Sequence, residues 1–188
     1  MVRHIVVLSS ALICIAFSAS AEEHRQLGAH IHGHGRLNIA IEDKTMSIEL
    51  EVPAADIVGF EHEPETPEQK AVLEDAKAKL AAGLSLFTPA PAAGCVQKMA
   101  GVKAEAEHED AEHEEEHEAH DAGHQHSEFH AEYAFECPSP SQLTSMTFDY
   151  FKVFPKAEEL DTSLISPKGQ ASFEVKRDKP SLDLSGMM

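Results

Sequence analysis

The residues GRLNIAIEDKTMSIELEVP, Gly35–Pro53, carry an apolar side chain at every second position on either side of Asp43-Lys44. Leu37, Ile39 and Ile41 form the first set; Met46, Ile48, Leu50 and Val52 form the second. A period of two is the period of a strand, because successive side chains point to opposite faces. Two such runs around a short polar break read as a hairpin. One face is apolar and the other polar, which is the pattern of an antiparallel sheet with one wet face.

Downstream of the hairpin, a helix is expected from Thr66. Thr66 is a suitable N-cap, Pro67 takes the first helical position and Gln69 completes a capping box. Leu73, Ala76, Leu80 and Leu84 fall near one face, and Gly83 offers a stop. Pro89, Pro91 and Gly94 mark a boundary before Cys95. After it, SEFHAEYAFEC, Ser127–Cys137, alternates again, with Phe129, Ala131, Tyr133 and Phe135 on one side. TSMTFDYFKVFP, Thr144–Pro155, is apolar on both faces and reads as a buried central strand. Ser166-Pro167-Lys168-Gly169 turns into the strand QASFEVK, and SLDL ends the pattern. Together these elements predict an α+β fold: a mainly antiparallel sheet, one packed helix, and a disordered His/Glu-rich loop over residues 104–126.

The chain has 188 residues and a net charge of −18. Its first 21 residues read as a secretory leader. Arg3 and His4 precede an apolar run, Ile5–Phe17, and Ala19-Ser20-Ala21 is a cleavage signature. The run is too short for a stable membrane anchor. Removing the leader takes away Arg3 and no acid, so residues 22–188 carry −19. Such a charge excludes a nucleic-acid partner, whose phosphates need basic patches, and suits cations.

The loop itself is HEDAEHEEEHEAHDAGHQHSEFH, His108–His130, which holds seven histidines and nine acids with no lysine or arginine. It has too little apolar surface to build a core. Imidazole is the commonest protein ligand for zinc and also suits copper and nickel, and carboxylates add oxygen ligands. His113, His117, His120 and His124 step by four, three and four, so on a helix they would share one stripe. His108 and His126 extend the same cation trap. In GAHIHGHG, His30, His32 and His34 recur at period two, and in an extended segment they would project to one side. His130 lies on the polar face of its strand with His126, Glu128 and Glu132, where it serves equally well as a ligand or as an ordinary outward residue. His62, alone in GFEHEP, reads first as structural. Cleavage after Ala21 would also place His24 third in the chain, a Cu(II) or Ni(II) pattern that a shift of one residue destroys.

The leader leaves two cysteines, Cys95 and Cys137, one on each side of the run. In an oxidising compartment two cysteines pair, and closing the 41 intervening residues stabilises by roughly 4 kcal/mol in the chain-entropy model. The alternative is a pair of thiolate ligands. No catalytic residue is expected. His113-Glu114-Glu115-Glu116-His117 imitates a metalloprotease motif only in its terminal pair, and no nucleophile elbow, P-loop or dinucleotide fingerprint is present.

GAHIHGHGRLNIAIE, ADIVGFEHEPET, the Cys-flanked His-rich loop, FHAEYAFEC, FPKAEEL and GQASFEV together resemble the ZrgA-like family of periplasmic zinc-uptake proteins. The resemblance spans nearly all of residues 22–188. It implies a periplasmic, non-enzymatic Zn(II)-binding domain that works beside a zinc ABC importer or a periplasmic zinc solute-binding protein, and it strengthens the functional reading of His62. The residues alone leave two other readings open: a buffer or chaperone for copper or nickel, and, lower in rank, a zinc-dependent hydrolase.

Overall fold

The structure is a computed structural model, and it describes residues 31–106 and 127–188. Of the loop expected over 104–126, residues 104–106 are strand, paired with 127–129, and the rest lies outside the described residues, as does the expected leader.

The first hairpin forms as its alternation requires. Strand β1 (His34–Glu42) pairs antiparallel with β2 (Thr45–Pro53), Glu42 opposite Thr45 across a two-residue turn. Asp43 takes a left-handed φ of 52° there, a conformation Asp tolerates better than most side chains. A single turn, α1 (Ala54–Ile57), follows. Helix α2 (Pro67–Ala81) then starts at the expected capping box. The Thr66 hydroxyl accepts from the Gln69 N–H, and the Gln69 side chain accepts from the Thr66 N–H.

Gly83 does not cap that helix. It has no left-handed φ and opens a further short turn, α3 (Gly83–Leu86). Its role is close approach: a Cβ there would stand 2.5 Å from Cδ1 of Tyr133. Tyr133 is itself fixed, its hydroxyl donating to the Leu80 carbonyl at 2.8 Å.

The rest of the chain supplies β3 (Phe87–Pro89), β4 (Val96–Ala106), β5 (Ser127–Glu136), β6 (Ser145–Phe148), α4 (Tyr150–Val153), β7 (Glu159–Ser166), β8 (Gly169–Lys176) and β9 (Ser181–Asp183). The expected strand over Thr144–Pro155 is only partly a strand. β6 is the central strand of a small sheet, β3-β6-β9, and the chain then winds into α4. The bulk of Tyr150, Phe151 and Phe154 explains the change, because a short helical turn sends all three rings into the core.

The large sheet has the order β4-β5-β2-β1-β7-β8. Its neighbours are antiparallel except for the parallel pair β1 and β7. One face, bearing Leu37, Ile39, Ile48, Leu50, Phe129, Tyr133, Leu160 and Leu164, is buried in the core with Ala76 and Leu80 of α2 and Phe87, Met146 and Phe148 of the small sheet. The other face is polar. Across it run Glu174, Asp161, Arg36, Glu51, His130 and Lys103, opposite one another on successive strands.

The sheet has two chemically distinct ends. At one, the Cys95–Cys137 disulfide closes the base of the β4–β5 hairpin, and the Cys137 N–H donates to Lys44 in the β1–β2 turn. The pairing expected from the sequence is thus observed, and the thiolate-ligand alternative falls away. At the other end, Ala106 stands opposite Ser127, and the chain between them is the His/acid-rich run.

Gly83→Ala should destabilise the protein by about 1–3 kcal/mol, the usual magnitude of overpacking a filled core. Urea unfolding of the two proteins measures this. An unchanged midpoint would show that the Tyr133 ring yields freely and that close approach does not explain the glycine.

Candidate metal centre

Four histidines fall within the described residues: His32, His34, His62 and His130. His30, His108, His113, His117, His120, His124 and His126 lie outside them. His32, His62 and His130 stand near the end of the large sheet where the run departs, and His34 opens β1 at that same end.

The expected extended segment through residues 30–34 is interrupted. Residues 32 and 33 form a turn, closed by the His34 N–H donating to the Ile31 carbonyl at 3.0 Å. Gly33 has φ +85°, and a Cβ on it would meet the Glu158 side chain at 2.9 Å. The turn is held from both sides. The Gly33 N–H donates to Oδ2 of buried Asp56 at 2.8 Å, and the Gly33 carbonyl accepts from the N–H groups of Glu158 and Glu159 at 2.7 and 2.9 Å. Consequently His32 and His34 have different surroundings. The ring of His32 is 3.6 Å from the Glu61 carboxylate, and its charge is felt at Asp56. His34 lines a hollow of about 430 Å³ with Glu158, Glu159, Lys176, Arg177 and Asp178. The period-two spacing could not reveal this, because one residue with positive φ breaks the alternation.

Asp56 was not foreseen as a site residue. Burial pushes its carboxyl up from the ordinary value, opposed by the Gly33 N–H and by the charges of His32 and Lys156. The signal available in the sequence was an acid set inside Ala54-Ala55-Asp56-Ile57-Val58, an otherwise apolar stretch.

Among the described histidines, His130 has the densest acidic surroundings. Its Nε2 is 3.2 Å from the Glu128 carboxylate, which is only 3% exposed. Glu105 and Glu51 each stand at 4.0 Å, and Glu51 also pairs with Arg36 at 2.5 Å. The hydrogen bond that the ring donates to Glu128 raises the imidazole pKa; partial burial opposes it, and the charges of Glu128, Glu105 and Glu51 add to the rise. The ring borders a hollow of about 220 Å³ with Gly101, Lys103, Glu105 and Glu132.

His62 is tied to the start of α2. Its Nδ1 faces the Glu63 carbonyl at 2.8 Å, its Nε2 faces the Gln69 amide nitrogen at 3.4 Å, and its ring stacks on Phe60. Oε1 of Gln69 already accepts from the Glu65 and Thr66 N–H groups, which turns the amide NH2 toward His62. His62 thus extends the capping box. The neighbouring Glu61 carbonyl accepts from the Ser127 hydroxyl at 2.7 Å, joining this segment to the start of β5.

Among the described residues, no group of three or more His, Cys, Asp or Glu side chains is arranged to hold a metal ion. Also among them, no helix is long and apolar enough to cross a membrane. What the end of the sheet offers is imidazoles already engaged by carboxylates, the donor chemistry of a borderline dication such as Zn(II).

A family model described as a ZrgA family zinc uptake protein matches residues 29–184. The chain belongs to the ZrgA family. No curated protein matches it. The match begins just before the His32–Gly33 turn and spans both sheets, so zinc uptake is the task against which this ZrgA-family fold is to be understood. The disulfide is of the kind that an oxidising, extracytoplasmic compartment permits.

In the metal-free protein, His130 should titrate above 6.5, and Glu128→Gln should lower its midpoint. The folded-state pKa exceeds the unfolded one. The stabilisation it contributes is therefore complete below pH about 6.5 and is lost as pH rises through the folded value. An NMR titration of the imidazole measures the midpoint. A value at or below 6.5 would show that the carboxylates around His130 do not act on it as the geometry requires.

Proposed function

We propose that residues 22–188, freed of the leader after Ala21, act in the periplasm as a single domain that captures Zn(II) and assists its uptake through an import system. One observation supports this above the rest. The hairpin that carries the His/acid-rich run is rooted beside His32, Glu61, Glu128 and His130, so the run and the engaged imidazoles share one end of the sheet.

In this reading the two parts divide the task. His108, His113, His117, His120, His124 and His126 gather zinc, and the surrounding acids raise its local concentration and encounter rate. The tighter site draws on His30, His32 and His34, with His130 near enough to the same end to contribute. Backbone fixed before the metal arrives spares the ordering cost that a run poor in apolar residues must meet, so the fixed site binds first. His62 supports the segment that presents Glu61 and is a candidate ligand itself. A periplasmic zinc solute-binding protein or an ABC importer would receive the ion. Capture and transfer of an ion require no catalytic group.

Because Ala106 and Ser127 are directly opposite, an Asn-Gly turn can replace residues 107–126 without disturbing the hairpin. The shortened protein should fold with an unchanged melting transition, bind fewer zinc ions in equilibrium dialysis, and keep the tightest event in a calorimetric titration. Adding His30→Ala, His32→Ala and His34→Ala should then remove that event. An unchanged zinc count after shortening would sink the role of the run, and a persisting tight event in the triple variant would place the primary site elsewhere. Metal analysis of protein taken from its native compartment separates zinc from copper and nickel, which the same ligands also accept.

A further inference from the structure

The buried carboxylate of Asp56 has no position among the candidate ligands, yet it makes the one side-chain hydrogen bond described for the turn that separates His32 from His34. We propose that Asp56 is a positioning residue for zinc capture: it locks the His32–Gly33 turn from beneath, so that the two imidazoles leave the backbone in fixed directions before any ion binds. The inference rests on the reading of His32 and His34 as ligands.

Three features carry it. First, the clamp is two-sided. Asp56 holds the Gly33 N–H, while the N–H groups of Glu158 and Glu159 hold its carbonyl, so a single residue ties β1, α1 and the approach to β7 together. Second, the clamped residue has a conformation that only glycine adopts easily, φ +85°, and the Glu158 side chain occupies the space a Cβ would need. Glycine is also the residue with the most freedom to leave that conformation, and the Asp56 hydrogen bond restricts that freedom. Third, Asp56 is 5% exposed, and among the described residues Glu128 is the one other buried carboxylate. A buried carboxyl is unfavourable unless its hydrogen bonds are made, and here the bond it makes is to the histidine turn. The clamp fixes His32 beside Glu61 and His34 beside Glu159.

The clamp can be tested apart from zinc. In the metal-free mature protein, Asp56→Ala should speed amide hydrogen exchange at Gly33. Asp56→Asn should preserve protection, because its side-chain oxygen can accept the same N–H. Supporting groups around metal ligands typically contribute about 10–100-fold in affinity. Asp56→Ala, in protein whose circular dichroism shows it folded, should therefore weaken the tightest zinc event by about 10–100-fold and leave the weaker events unchanged. Asp56→Asn should restore affinity to within a few-fold, and Gly33→Ala should reproduce the Asp56→Ala loss. Tight binding unchanged in Asp56→Ala would overturn the inference, as would an Asp56→Asn variant as weak as Asp56→Ala, which would assign the effect to charge. If His32→Ala/His34→Ala also keeps the tight event, it is the ligand reading beneath the inference that has failed, whatever the exchange data show about the clamp.

Discussion

The pairing of β2 with β5 is the constraint on which the other arrangements depend. These strands are separated in sequence by the whole of α2, the small-sheet strand β3 and the hairpin arm β4, yet they are neighbours inside the large sheet. Their register sets Glu51 opposite His130 and Ile48 opposite Tyr133. Because side chains alternate, a slip of one residue would send Phe129, Tyr133 and Phe135 to the wet face and His130 into the core. The register is therefore fixed by apolar burial, and the position of the polar end follows from it. Tyr133 reinforces the choice. Its ring fills the space that Gly83 leaves free, and its hydroxyl reaches the last turn of α2.

Elements whose burial is one-sided were legible in the sequence. β1, β2 and β5 each show strict alternation, and α2 begins with a capping box that uses local chemistry alone. The disulfide was legible from compartment and cysteine count. β4 was not. Its QKMAGVKAEA lies at the edge of the sheet, where Val96 and Met99 remain about half exposed and burial imposes little pattern. The chain after β6 departs from the expected strand because Phe148, Tyr150, Phe151, Val153 and Phe154 crowd apolar side chains into seven residues, and such a run does not distinguish a buried strand from a helical turn. The site was legible in its histidines and illegible in its acids. Asp56, Glu51, Glu61 and Glu105 acquire meaning only through contacts made across the fold. The same holds for the turn at Gly33, whose geometry depends on Glu158, far away in the chain.

Cargo binding asks for two properties that oppose each other, rapid collection and firm retention. Collection is favoured by many donors and a strong acidic field, which the composition of residues 107–126 supplies. Retention is favoured by donors that need no rearrangement. At the end of the large sheet, the carboxylates that approach His130 hold its ring in place, but they also favour its protonated form. Were His130 a ligand, as proposed, a proton would compete with the dication for that imidazole, and acid would promote release.

Stability alone does not account for the acids at this end. Among the described residues, Asp56 and Glu128 are the buried carboxylates, and both lie where β1 begins and β5 begins, next to the histidines. A well-packed apolar pair would serve a core at least as well as a buried acid with its partner. The opposite end of the same sheet makes the point by contrast: there the chain is secured by a disulfide and a backbone hydrogen bond. Departures from the apolar rule that cluster at one place mark where a fold gives up packing for function. Among the described residues, the two carboxylates that burial disfavours are the ones that hold the histidine turn and engage His130, both at the root of the His/acid-rich hairpin, which is what the proposed capture site would require.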